Sequence, residues 1–139
     1  MSDVNVFYPA LALVGLTFAV WCRMFVVRIG QMKRERIHPQ AVATSVQALA
    51  RLTDSRVADN FRNLFELPVL FYLATVVAAI AELATPIMLA LAWLFVALRF
   101  VHSAIQCTYN KVMHRFMAYM AGGSVLCALW AYLAFRLLS

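Results

Sequence analysis

Asp59, Arg62, Asn63 and Glu66 place two acids, a guanidinium and an amide at the mouth of an apolar segment that runs from Val69 to Ala81. Wound as a helix at about 100° per residue, the four fall within an arc of roughly 100° and make one polar face. Arg62 and Glu66, four residues apart, can pair with each other, and Pro68 removes a backbone donor just beyond them. A buried carboxylate is costly unless it is paired, so Glu66 must face protein or water rather than lipid. Further along, Arg99, His102, Gln106 and Tyr109 fall within an arc of about 80° on a second helix, and Arg115 and Tyr119 stack one turn apart on a third. Faces at comparable depth converge on one cavity. Several guanidinium groups, an imidazole, amides and a phenol around one glutamate suit a small ligand with carboxylates for the arginine forks and an ammonium for Glu66. A peptide-like anion fits that description. The competing reading is that these groups satisfy one another: Arg62 with Glu66 and Asp59, His102 as a bond between helices, Arg99 and Arg115 at the headgroups. The excess of arginine over acid argues for an external anion, since ionisable groups inside a membrane are functional by default.

The elements that must carry these residues are set by a chain of 139 residues that is 65% hydrophobic, with a mean hydropathy of +0.81. Soluble domains are roughly half apolar, so this composition describes an integral membrane protein. The net charge of +6 marks the cytoplasmic side of such a protein better than it marks a nucleic-acid partner, because no basic and aromatic residues interleave. Cys22, Cys107 and Cys127 have neither CxxC nor metal-ligand spacing and read as buried free thiols. The N-terminus lacks the basic region and cleavage site of a secretory signal, so the first apolar run is expected to remain as an anchor.

Four helices account for the apolar runs, in an all-α, up-and-down membrane bundle of one domain over 1–139. The expected helices are about 4–27, 44–82, 85–108 and 115–137, and the second enters the bilayer near residue 61. Thr44 or Ser45, and later Asp54 or Ser55, are candidate N-caps, and Pro86 suits the first turn of the third helix. From Arg28 to Arg62, both included, there are seven basic residues against three acids. That loop and the Lys111–Arg115 turn share one side, so the positive-inside rule puts both termini on the non-cytoplasmic face. Gly122 and Gly123 allow close approach of helices.

At Arg62-Asn63-Leu64-Phe65-Glu66-Leu67-Pro68, Arg99-Phe100-Val101-His102-Ser103 and Arg115 with Tyr119, the chain resembles the MAPEG family, the membrane-associated proteins of eicosanoid and glutathione metabolism, in a bacterial-type form. The resemblance covers essentially the whole chain. It implies a homotrimer, in an inner membrane, that binds glutathione between neighbouring subunits near the cytoplasmic face. Carried over by position, Arg62, Asn63, Glu66, His102 and Tyr119 are glutathione contacts, joined by Arg99 from the same polar face. Arg115 resembles the arginine that stabilises the glutathione thiolate, which makes it the catalytic candidate. A basic residue from the end of the first helix also belongs to the family site; Arg28 is the closer match and Arg23 the alternative. Gln106 stands where members commonly carry an aromatic hydroxyl, and Phe116 where some carry serine, and both departures count against eicosanoid isomerase chemistry.

The implied activity is a glutathione-dependent transferase or peroxidase acting on lipophilic electrophiles or hydroperoxides from the bilayer. The reactive sulfur would belong to glutathione, since neither Cys107 nor Cys127 has an adjacent base. A non-catalytic lipid-binding or scaffold protein on the same fold is the alternative, because fold does not fix function. A small proton-coupled exporter fits less well, because it wants a carboxylate alone near the bilayer midplane.

Overall fold

The computed structural model describes residues 3–139, and its regular structure is helical throughout. A short 3-10 turn, Asp3–Val6, leads into α1, Phe7–Arg34. After a second 3-10 turn at Pro39–Val42 come α2, Ser45–Arg51, α3, Arg56–Asn63, and α4, Leu67–Ile80. Two long helices complete the bundle, α5, Pro86–Cys107, and α6, Val112–Leu138. Four stretches are long and apolar enough to cross a membrane: Val4–Arg34, Arg56–Ile80, Pro86–Cys107 and Val112–Leu138.

The first helix runs about two turns past the expected end near residue 27. Lys33 and Arg34 in its last turn complement the helix dipole. Gln31 is buried there and donates from Nε2 to Oε1 of Glu35 at 3.0 Å and to the Thr53 hydroxyl at 2.9 Å. That side chain ties the end of α1 to the link between α2 and α3.

The single helix expected over 44–82 is three helices. Thr44 and Gln47 start the first with a reciprocal capping box. It ends at Leu52, whose extended backbone (φ −95°, ψ 105°) breaks the ladder. Asp54 then accepts the Arg56 backbone N–H at 3.3 Å and restarts the chain as α3. The second break follows from Pro68, which has no N–H to offer the preceding turn. The chain tightens instead into short-range bonds, Phe65 N–H to the Arg62 carbonyl at 3.0 Å and Glu66 N–H to Asn63 at 3.4 Å. Glu66 itself leaves helical geometry (φ −90°, ψ −101°). The anticipated pairing of Arg62 with Glu66 is lost with the helical register, and Arg62 lies 3.8 Å from Asp59 instead.

The core is a narrow seam of Leu13, Phe71, Ala74, Ala78, Met88, Ala92, Phe95, Leu129 and Leu133. Alanines let the helices approach, and the Phe71 and Phe95 rings stack at 4.8 Å. Most other large apolar side chains point outward, as they must where the solvent is lipid. Trp130 donates to the Leu70 carbonyl at 3.2 Å and joins α6 to α4. At one end of the bundle the hydroxyls of Thr85 and Tyr132 meet at 2.7 Å, and Arg136 donates to Tyr132 at 3.1 Å.

Candidate functional site

The break between α3 and α4 turns Asn63 and Glu66 towards the last two turns of α5 and the first two of α6. There they share a cavity of about 250 Å³ with His102, Val112, Arg115, Phe116 and Tyr119. Asn63, Glu66, Arg115 and Tyr119 each have a hydrogen-bonding neighbour. Asn63 donates from Nδ2 to Oε1 of the buried Gln106 at 3.1 Å. Arg115 donates from Nη1 to Oδ1 of Asn110 at 2.9 Å. The Tyr119 hydroxyl donates to Glu66 Oε2 at 3.4 Å, and the His102 ring lies 5.9 Å from the Tyr119 ring.

Five of the residues singled out in the sequence therefore meet: Asn63, Glu66, His102, Arg115 and Tyr119. The other three lie elsewhere. Arg28 and Arg62 line a separate small cavity with Gln31, Asp54 and Asp59, at the end of α1. Arg99 lies behind the cavity wall, 1% exposed, with its guanidinium 5.0 Å from the Tyr119 ring centroid and 5.2 Å from that of Phe95. Tyr109 also departs from its expected face. The α5 helix stops at Cys107, which releases Tyr109 from the register, and it bonds His114 across the turn at 3.0 Å.

Three further side chains support the site, and of these the spacing placed only Gln106 on the polar face. Gln106 fixes Asn63. Asn110 sits at a positive φ of 48° and holds Arg115 from the turn; an asparagine just before a helix is the available signal, because it tolerates that conformation. Asn60, fully buried, accepts from Ser103 at 3.2 Å and donates to the Cys107 sulfur at 3.4 Å. All three cysteines are free, but Cys22 and Cys127 face outward rather than inward. In a lipid solvent an exposed thiol is still in apolar surroundings, which is why the expectation of burial fails without consequence.

On the lipid-facing side of the same turn, Phe61, Leu64 and Phe65 join Val14, Phe18 and Trp21 of α1 around an open apolar groove of about 450 Å³. Outside the apolar spans, Asp54 receives Nε and Nη2 of Arg56, both at 2.9 Å. That pairing holds the Asp54 carboxyl below its ordinary pKa of 3.8.

Fold and site together define an integral membrane protein, a bundle of four long apolar helices with a polar cavity between its second, third and fourth crossings. The family model described as MAPEG family matches residues 6–135, nearly the whole chain, and the chain belongs to that family. No curated protein and no solved structure matches it. Membership connects the chain in general terms with membrane proteins of glutathione and eicosanoid metabolism.

Proposed function

We propose that the protein is a glutathione-dependent membrane transferase or peroxidase for lipophilic electrophiles or hydroperoxides. The observation that carries this reading is the cavity in which Asn63, Glu66, His102, Arg115 and Tyr119 come together from distant parts of the chain. Its chemistry suits glutathione: Glu66 for the ammonium, Asn63 and His102 for polar groups of the peptide, and Arg115 for negative charge. The reactive sulfur comes from the bound peptide.

In the proposed reaction the thiol proton passes to water and the Arg115 guanidinium stabilises the thiolate that remains. The sulfur bonds to an electrophilic carbon, and the leaving group departs with the electron pair of its broken bond. With a hydroperoxide the sulfur takes the distal oxygen, the O–O bond breaks to leave an alcohol, and a second glutathione forms the disulfide with loss of water. One charged hydrogen bond to sulfur contributes about 1.5–3 kcal/mol, or about one to two units of thiol pKa.

The separation of Arg28 and Arg62 from this cavity favours an assembly of several subunits. In the homotrimer that we propose, the arginine wall of one copy completes the cavity of its neighbour, which is how Arg28, Arg62 and the cavity residues serve one ligand. The basic loops then face the cytoplasm, with both termini on the other side of a bacterial inner membrane. Lipophilic substrates enter from the bilayer.

Titration calorimetry with glutathione, followed by transfer to a panel of lipophilic electrophiles and hydroperoxides, tests this reading. Binding with turnover supports it. Binding without turnover favours a scaffold or lipid-binding protein, and no binding at millimolar glutathione overturns the glutathione assignment.

A further inference from the structure

Arg99 is the one residue among the described residues whose buried side-chain nitrogens lack hydrogen-bond partners, and all three of its guanidinium nitrogens are in that position. A buried, unpaired cation costs more than aromatic faces return, and an apolar side chain of the same length would avoid the cost altogether. Stability does not account for it. What Arg99 does have is a defined relation to one cavity residue: its guanidinium carbon lies 5.0 Å from the centroid of the Tyr119 ring.

The surroundings hold that relation in place. Phe95, one turn earlier on α5, offers a second ring at 5.2 Å. On α6, one turn after Tyr119, Gly122 leaves the space in which the guanidinium lies. A Cβ there would stand in van der Waals contact with the guanidinium, 3.7 Å from both Nε and Nη2. The Tyr119 hydroxyl reaches the cavity side and donates to Glu66 at 3.4 Å. The ring thus has its face on a cation and its hydroxyl on a carboxylate.

We infer that Arg99 is a positioning residue, whose buried guanidinium holds the Tyr119 ring at the angle that aims the hydroxyl at Glu66 and into the cavity. It acts through Tyr119 and does not itself touch the ligand. A cation over the ring face suits this task, because it holds the ring while keeping no competing bond in the cavity. The binding consequences rest on the glutathione reading given above; the orientation of Tyr119 does not.

The test uses the full chain in lipid nanodiscs, with Arg99→Met, Arg99→Lys, Tyr119→Phe and the Arg99→Met/Tyr119→Phe double variant. All five tyrosines are replaced biosynthetically by 3-fluorotyrosine, and the Tyr119 fluorine resonance is assigned by its loss in Tyr119→Phe. The Tyr119 resonance should shift and broaden in Arg99→Met, and return towards the wild-type position in Arg99→Lys, which restores the cation but not the shape. An unmoved resonance in Arg99→Met overturns the inference, and so does an Arg99→Lys spectrum that matches Arg99→Met. Glutathione affinity supplies the second arm. Arg99→Met and Tyr119→Phe should each weaken binding by about tenfold, and the double variant should be no weaker than either, because both remove one oriented hydroxyl. Losses that multiply to about a hundredfold would mean that Arg99 acts independently of Tyr119, and would also overturn the inference. A wild-type protein that binds no glutathione removes the functional reading alone, and the fluorine spectra still decide the role of Arg99.

Discussion

Asn63 and Gln106, 43 positions apart in sequence, are joined by a 3.1 Å hydrogen bond from the asparagine amide to the glutamine carbonyl oxygen. The bond crosses from the end of α3 to the end of α5 and consumes one donor of Asn63. Its carbonyl oxygen and second N–H remain available to the cavity. Gln106 thereby gives Asn63 an orienting acceptor at the end of α5. Replacing it by leucine leaves the Asn63 amide without this partner, at a cost of about 1–3 kcal/mol. Glutathione affinity should fall by roughly tenfold in Gln106→Leu. Calorimetry on the purified variant checks this, and an unchanged affinity would separate Asn63 from the ligand.

Asn110 offers a cleaner handle on Arg115 than mutation of the arginine itself. Its φ of 48° is tolerated by glycine, so Asn110→Gly keeps the turn and removes only the acceptor for Nη1. The ultraviolet thiolate absorbance of bound glutathione should drop in Asn110→Gly and nearly vanish in Arg115→Ala. A full signal in Arg115→Ala would dismiss the arginine from thiolate stabilisation.

Pro68 keeps α3 and α4 apart, and with them the direction of Glu66. In Pro68→Ala an N–H becomes available, and the helix can propagate through residues 64–66. Hydrogen exchange in that stretch should slow, while glutathione binding weakens because Glu66 rotates away from Tyr119. Faster exchange would show that proline stabilises the break rather than causing it.

The Asp54–Arg56 pair makes stability depend on pH at the acid end. Asp54 has a folded pKa below its ordinary value of 3.8. Its contribution is therefore complete above that value and lost as the pH falls through the depressed one. Thermal unfolding of the wild type and of Asp54→Asn, in detergent, should differ modestly at neutral pH, because the pair is partly exposed. The gap should close below about pH 4. A gap that persists at lower pH would rule out the carboxylate as its source.

Much of this arrangement is legible in the residues themselves. A lipid solvent demands uninterrupted apolar length, so the charge-free runs mark the crossings, and the Arg99–His102 spacing falls on an α5 that is unbroken to Cys107. The two breaks in the helix expected over 44–82 were legible only in part: Pro68 and the candidate cap Asp54 mark the places, but competition for backbone groups decides whether the helix ends there. Asp54 captures the Arg56 N–H, and Pro68 leaves a carbonyl unserved, and neither event changes the apolar pattern. The face shared by Arg62 and Glu66 assumed one continuous helix, and it dissolves with the helix. Arg99 shows a different limit: helical pitch places its Cα on the His102 side, but the rings of Phe95 and Tyr119 decide where its guanidinium goes. Such contacts across elements have no signature in spacing.

The bonded hydroxyls of Thr85 and Tyr132, reinforced by Arg136, clamp α5 to α6 at the end where α5 begins. The cavity lies at the other end, where the same two helices are joined by a short turn and where α3 has come apart from α4. The α5–α6 pair is thus held at both ends, by the hydroxyls at one and by the short turn at the other, so the non-helical residues in the cavity wall are those of the α3–α4 break.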